Sequence, residues 1–381
     1  MTGPATPPLG VGSAWPGGRA LTTTPVNTAL DLSAAVGQMT YTYRFALSDG
    51  VSGEVLGDIH PIRTGTLSHD TSRTTKRSLS LQLGKADTAA VNTATDRIGL
   101  FMTIPGARNP DRTDGDWPLG RYQFVDDSLR QFTSGMLSDP QLTDEMFLVD
   151  QAILKGISGV GRGVVAVLVD TLSELPIAFD VEPSPFTSAD AWGIGAARGQ
   201  ILDTLAVAGD FWSPWFDNSG VLRFRRTFDP ALAIPDIDFD AGHKVIRNDV
   251  VRTNDLLSSP NTIIVISNNS ASGEPAVGVA TVAVNAPNSV ANRGFAIAKV
   301  ADLQLSDSTQ AQAVANGLIQ RQAIFEQVAL STPADPRHDG YNVIRWQREN
   351  WLELAWSMPL QPGAPMTHTL RRSYLRPGRI S

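Results

Sequence analysis

The chain has 381 residues, of which 18% are charged and 42% apolar, and a formal net charge of −7. This is the composition of a globular protein with room for two or three domains, not of a disordered one. With no cysteine and no long basic run, it excludes disulfides, thiolate metal sites, a cysteine nucleophile and a non-specific nucleic-acid grip.

Residues 1–37 are rich in Gly and Pro from Met1 through Gly18 and read as a flexible or extended arm, with Trp15 as a candidate docking residue. The segment lacks the basic-then-apolar order of a signal peptide. No window of the chain approaches the roughly 18 uninterrupted apolar residues of a membrane helix. The first strand is expected at Met39–Leu47, with Tyr41, Tyr43, Phe45 and Leu47 on one face and a turn at Ser48-Asp-Gly50. A second lies at Ser78–Leu83, with Leu79, Leu81 and Leu83 inward, and residues 98–104 and 120–125 add two more. Short strands punctuated by Gly, Asp and Ser predict a small barrel or sandwich over 38–135.

The stretch 136–232 reads as α+β. Asp144–Ile157 has helical character, and the apolar run Val164–Val169 predicts a buried strand. Ala196–Ala208 predicts a helix with Ile201, Leu202 and Leu205 inward. A hairpin follows, Trp212–Phe216 and Val221–Arg225 around the turn Asp217-Asn-Ser-Gly220.

From residue 233 the chain is β-rich again, with strands predicted at Thr262–Ser267, Ala280–Val284 and Phe295–Val300. A helix over 308–325 starts at Ser306-Asp-Ser-Thr and turns Ala311, Val314, Ala315, Leu318, Gln322 and Phe325 to one side. Asp335–Trp346, a polar break at Gln347–Asn350 and a strand then follow. In that strand Leu352, Leu354, Trp356, Met358 and Leu360 face one way, and Glu353, Ala355 and Ser357 the other. No motif in this last stretch points to chemistry.

The five histidines, His60, His69, His243, His338 and His368, form no His-x₃-His or His-Glu-x-x-His pattern. Solvated or core histidines are the stronger reading beside a zinc site assembled from three of them on folding. Gly156–Gly163 lacks the Gly-Lys-Ser/Thr of a phosphate loop and precedes a strand-like run, which makes it a flexible loop. Asp236-Ile-Asp-Phe-Asp240 lacks the glycine and glutamate of a calcium loop and reads as a strand edge with a solvated face. Three carboxylate pairs, Asp126-Asp127, Asp144-Glu145 and Glu349/Glu353, are candidates for glycoside hydrolysis, but no hydrolase motif accompanies them. Trp346, Trp351 and Trp356 read as core or cross-strand packing ahead of sugar stacking. Arg371, Arg372, Arg376 and Arg379 concentrate positive charge near the C-terminus, as a solvated end or as a docking surface for an acidic neighbour.

The order helix, strand, Pro336-Arg-His-Asp-Gly-Tyr-Asn-Val343, Glu349-Asn-Trp-Leu-Glu353, Trp356-Ser-Met-Pro-Leu360, Met366-Thr-His-Thr-Leu-Arg-Arg372 resembles minor tail proteins of actinobacterial siphophages. These are similar to the baseplate-hub (Tal-like) family at the tail tip, and the resemblance extends more weakly back to Tyr41. It implies a mostly β fold with an α+β insertion. Two tail-tube-like β-barrel domains, 38–135 and 233–381, would flank an inserted α+β domain at 136–232, and the second barrel would carry helix 308–325 and the C-terminal strand ladder. It further implies a virion structural protein, assembled in the bacterial cytoplasm, with no catalytic, cofactor-binding or metal residues. The glycosylation-like Asn268-Asn-Ser270 would be silent there. The implied assembly is a homotrimer that caps the tail tube and adapts sixfold to threefold symmetry. Implied partners are the distal tail or tail-tube protein, the tape-measure protein and other minor tail or fibre proteins. Viral DNA would pass through the lumen without specific binding, and no stable membrane insertion is expected. A tail-tip cell-wall hydrolase and a receptor-binding protein remain the alternatives.

Overall fold

The alternation that begins at Tyr41 forms the strand Thr42–Asp49, whose Phe45 and Leu47 enter the core beside Tyr41 and a half-buried Tyr43. The computed structural model describes residues 41–105, 116–126, 129–132, 135–240, 246–255, 257–268 and 274–374. The arm 1–37 with Trp15, and also Asp127, His243, Asn269, Ser270, Arg376 and Arg379, lie outside the described residues. Among the described residues no helix is long and apolar enough to cross a membrane.

Most strands belong to one antiparallel sheet. From one edge to the other it runs Ile246–Asn254, Glu326–Thr332, Met366–Arg372, Glu349–Pro359, Arg63–Asp70, Arg77–Gln82, Gln141–Thr143, Asp116–Asp126, Asp96–Thr103, Thr42–Asp49 and Val55–Ile59. Two short strands attach beside it: Val343–Trp346 pairs with Glu349–Pro359, and Ile237–Asp238 pairs in parallel with Val343–Trp346. The turn at Gln347 and Arg348 takes positive φ at both residues, 54° and 64°, which joins the two strands by the tightest kind of hairpin.

The two barrels expected over 38–135 and 233–381 do not close among the described residues. The reason lies in Arg63–Asp70, which spends one edge on Arg77–Gln82 and the other on Glu349–Pro359. Ala355 faces Asp70 and Pro359 faces Thr66, so the early and late β regions join edge to edge into one open sheet. Such a joint satisfies backbone groups that would otherwise be exposed. Ser78–Leu83 appears as Arg77–Gln82, with Leu79, Leu81 and Leu83 all buried as their alternation predicts.

A second core runs from Met146 to Ile319 and is built on the helices Val164–Leu172, Arg198–Ala208 and Ser308–Gln322. The buried strand expected at Val164–Val169 is instead the first of these helices. Val164, Val167, Leu168, Thr171 and Leu172 are its buried residues, a helical spacing that becomes visible only when the run is followed past Asp170. Asp144–Ile157 is helical only at Met146–Val149. Ile201, Leu202 and Leu205 are buried as expected, and the hairpin pairs Trp215–Phe216 with Val221–Phe224. Its turn is held by Asp217 Oδ1, which accepts from the Ser219 and Val221 amides, while Gly220 takes φ +75°.

Thr262–Ser267 forms over the residues predicted. It is the centre of a three-stranded sheet with Ala276–Thr281 and Ala298–Asp302, strands that lie a few residues from the expected 280–284 and 295–300. The helix Ser308–Gln322, capped by Asp307 on the Gln310 amide, packs on this sheet. At Gly278 the helix backbone comes so close that a Cβ would overlap the Ala311 carbonyl.

Candidate functional site

The strand Glu349–Pro359 does not have one solvated face. Trp351 enters the apolar cluster of Ile237, Phe239 and Trp346, whereas the next residue, Leu352, enters that of Trp212 and Tyr341. Glu353 alternates with Trp351 and is therefore buried rather than solvent-facing. The pairing with Met366–Arg372 slips between Glu353 and Ala355, a bulge of the kind that re-aims a side chain.

Into this buried position come two histidines from elsewhere in the chain. His338 is supplied by the loop before Val343–Trp346 and His368 by the strand Met366–Arg372. Nδ1 of His338 lies 2.8 Å from Glu353 Oε2, and Nδ1 of His368 lies 2.7 Å from Oε1. All three side chains are 0% exposed. The two rings sit 4.5 Å apart between centroids, and Phe239 packs against both at 5.8 and 5.5 Å. Nε2 of His368 meets the Thr332 hydroxyl at 2.8 Å.

Burial pushes the Glu353 carboxyl up to about 7, against the opposing hydrogen bond and charge of His368. Burial also lowers His368 below the ordinary imidazole range, helped by His338. At neighbouring Asp335, burial would raise the carboxyl, but the hydrogen bonds and charge of Arg337 outweigh it and hold it at about 2. The ligand atoms of His338, Glu353 and His368 all lie within 4.8 Å of one another, the grouping among the described residues suited to a metal ion. No polymer reaches so enclosed a site, so it is unsuited to cutting a polysaccharide.

The three residues are fifteen positions apart in sequence, which no local motif reports. The one available signal was parity. His368 alternates with Met366 and Leu370 on a buried strand face, and Glu353 alternates with Trp351.

The other candidates fall apart or settle into structure. His60 is exposed. His69 is buried and stacked on Trp356, with ring centroids 5.7 Å apart. Desolvation, with the charges of Arg77 and Lys76, keeps its imidazole well below the usual range. Glu349 is half exposed and bonds Arg372, so the Glu349/Glu353 pair is split. Asp144 accepts the Lys76, Arg77 and Met146 amides, and Glu145 pairs with Arg97 and Arg121.

The glycines of 156–163 do open a helix, with Gly163 at its N-cap. The first helical amide, Val164, is already bonded to the Phe186 carbonyl, and the phosphate-loop lysine is still lacking. In Asp236–Asp240, Ile237 and Phe239 point inward, and Asp240 accepts the Gln347 and Arg348 amides of the hairpin turn. Arg371 is buried with its guanidinium on the Gln320 carbonyl, and burial lowers it to about 10. Arg372 pairs with Glu326 and Glu349, so both arginines are engaged within the chain rather than offered to a neighbour. Trp346, Trp351 and Trp356 are core residues, the first two 5.5 Å apart between centroids.

A cavity of about 420 Å³ lies between the Trp215 hairpin and the loop at Asp339–Val343. Its guanidinium group from Arg223 is already held by Asp217 and Asp180, each at 2.6 Å. That guanidinium is therefore paired within the chain.

The fold these elements make is that of phage tail proteins. The chain is similar to a tail protein from Neisseria meningitidis MC58 at 11% identity and a TM-score of 0.58, over 87% of this chain and 97% of that one. It is similar to the 43 kDa tail protein of prophage MuSo2 from Shewanella oneidensis at 12% identity and 0.56, over 87% and 98%. A third likeness is to prophage tail protein gp18 from Listeria monocytogenes EGD-e, at 11% identity and 0.51, over 86% and 94%. No protein-family model and no curated protein matches the chain.

Proposed function

We propose that the chain is a structural subunit of a phage tail, the trimeric hub at the tail tip. The observation that carries this reading is the shared fold, which runs through nearly the whole length of solved tail proteins rather than through one common module. The open sheet supports it in physical terms. Both of its end strands, Val55–Ile59 and Ile246–Asn254, have an edge without a strand partner among the described residues, and symmetric assembly covers such edges. In this reading the strands before Thr143 and those after Ile237 are two β lobes per chain, and three chains present six lobes to a sixfold tube. The hub caps the tube, gives the tape-measure and fibre proteins a platform, and lets DNA pass without a specific grip.

The test is the mass of the purified full chain in solution, together with an assay on peptidoglycan. Three times the 40.8 kDa chain mass with no lysis supports the hub. Lysis that an Asp/Glu→Ala series abolishes would replace it with a tail-tip hydrolase.

A further inference from the structure

We propose that His338, Glu353 and His368 bind a first-row divalent metal ion of the zinc type, which fastens the loop 333–342 to the strands Glu349–Pro359 and Met366–Arg372. This goes beyond the tail-protein reading and does not depend on it.

The argument starts from what the Glu353 carboxylate faces. Its two oxygens each meet an imidazole nitrogen: His368 Nδ1 lies 2.7 Å from one of them. A ring nitrogen and a carboxylate oxygen at that separation share a cation, either a proton or a metal. His338 repeats the arrangement on the other oxygen of the same carboxylate at 2.8 Å.

Several independent features favour the metal. A carboxylate with two neutral imidazoles carries one negative charge into a fully enclosed site, and buried charges are paired or coordinate metals. Two nitrogen donors and one carboxylate select zinc-like ions over calcium or magnesium, which prefer all-oxygen sets. Metal–ligand bonds of about 2.0–2.2 Å place tetrahedral donors about 3.3 Å apart, so the N···O contacts would widen by about half an ångström while the ligand atoms, now within 4.8 Å of one another, draw together around one ion. With Nδ1 on a metal, His368 Nε2 carries the proton, and the Thr332 hydroxyl 2.8 Å away is placed to accept it and hold the ring. Three protein ligands leave a fourth tetrahedral position for water.

The site also ties together segments that nothing else in this chain staples covalently, since it has no cysteine. His338 lies on a loop whose Tyr341 takes φ 58°, a backbone that needs fixing from outside.

The test uses the full chain, stripped with a chelator, checked for folding by circular dichroism and given zinc chloride, with metal counted by elemental analysis after gel filtration. The expected result is one zinc per chain, an upward shift in melting temperature, and visible d–d absorption of the tetrahedral kind when cobalt(II) replaces zinc. His338→Gln and His368→Gln are each expected to lose at least tenfold in affinity, whereas His60→Ala, an exposed control, leaves binding unchanged. A wild-type chain that stays folded but retains no zinc would overturn the proposal and leave protons in the metal's place. The same holds if the folded double variant His338→Gln/His368→Gln keeps one zinc. The cobalt spectrum of the wild-type chain is a separate readout that does not depend on the histidine variants folding: a spectrum without imidazole-bound tetrahedral features contradicts the site by itself.

Discussion

The core between Met146 and Ile319 and the sheet junction around Glu353 are filled in different ways. The first is a cluster of Val, Leu, Ile, Ala and Phe side chains held between helices. At the second, Arg77, His69, His338, Glu353 and His368 are buried among tryptophans. Arg77 donates to the Leu119 carbonyl at 3.3 Å and to Asn218 at 2.7 Å, pairs with Asp339 at 2.5 Å, and lies 5.7 Å from the centre of the Trp356 ring. An apolar core accepts many arrangements of similar volume, whereas a buried polar network is satisfied in few. The difference places the demand for a single arrangement where the early and late strands must meet in one register.

The comparison breaks most visibly at Glu353. Glu353→Ala leaves two buried imidazoles without their shared carboxylate partner and should cost about 3–5 kcal/mol in denaturant unfolding. A cost below that of an ordinary surface change would show that the junction does not depend on its polar network. In the helical core, Leu205→Ala should cost about 2–5 kcal/mol by cavity formation, while Leu205→Met should cost less than about 1.5 kcal/mol. Equal losses from the two substitutions would mean that this core is as exacting as the junction.

Gly278→Ala probes where the helix meets the small sheet. The added methyl overlaps the Ala311 carbonyl, so a loss of about 1–3 kcal/mol is expected in thermal or urea unfolding. Acid sensitivity separates the regions further. Burial holds Asp144 at about 6, above its ordinary 3.8. The folded state thus keeps a proton that the unfolded state has released between those values. This group's contribution to stability is therefore greatest at the acid end and falls as pH rises through the window. Asp144→Asn should remove that slope, at most about 1.4 kcal/mol per pH unit, when stability is measured at both ends of the window. The smallest effect is expected at the surface pair Arg162–Asp170, where Arg162→Ala should change stability by less than about 1 kcal/mol.

Legibility followed the same division. Thr262–Ser267, the helix at Arg198–Ala208 and the Asp217–Gly220 turn were readable because local alternation, helical spacing and turn chemistry agree there with the fold. Val164–Leu172 was misread because a run of valines carries no period until its polar positions arrive. The open sheet escaped prediction because strand pairing between residues 66–70 and 355–359 is a long-range choice that neither segment encodes alone. The His338–Glu353–His368 group escaped for a related reason. Its members are assembled by a bulge, a loop and a neighbouring strand, and half-buried alternation assigned Glu353 to water. Trp356 was legible as core because it shares parity with Leu352 and Leu354, and Trp346 and Trp351 were legible as a pair because they flank the polar break of the hairpin.

Two-dimensional class averaging of the purified full chain by electron microscopy tests the hub most directly. The account predicts a threefold ring with six similar lobes around a central hole. Compact single chains at every concentration examined, with no ring in the presence of a tail-tube end, would contradict it.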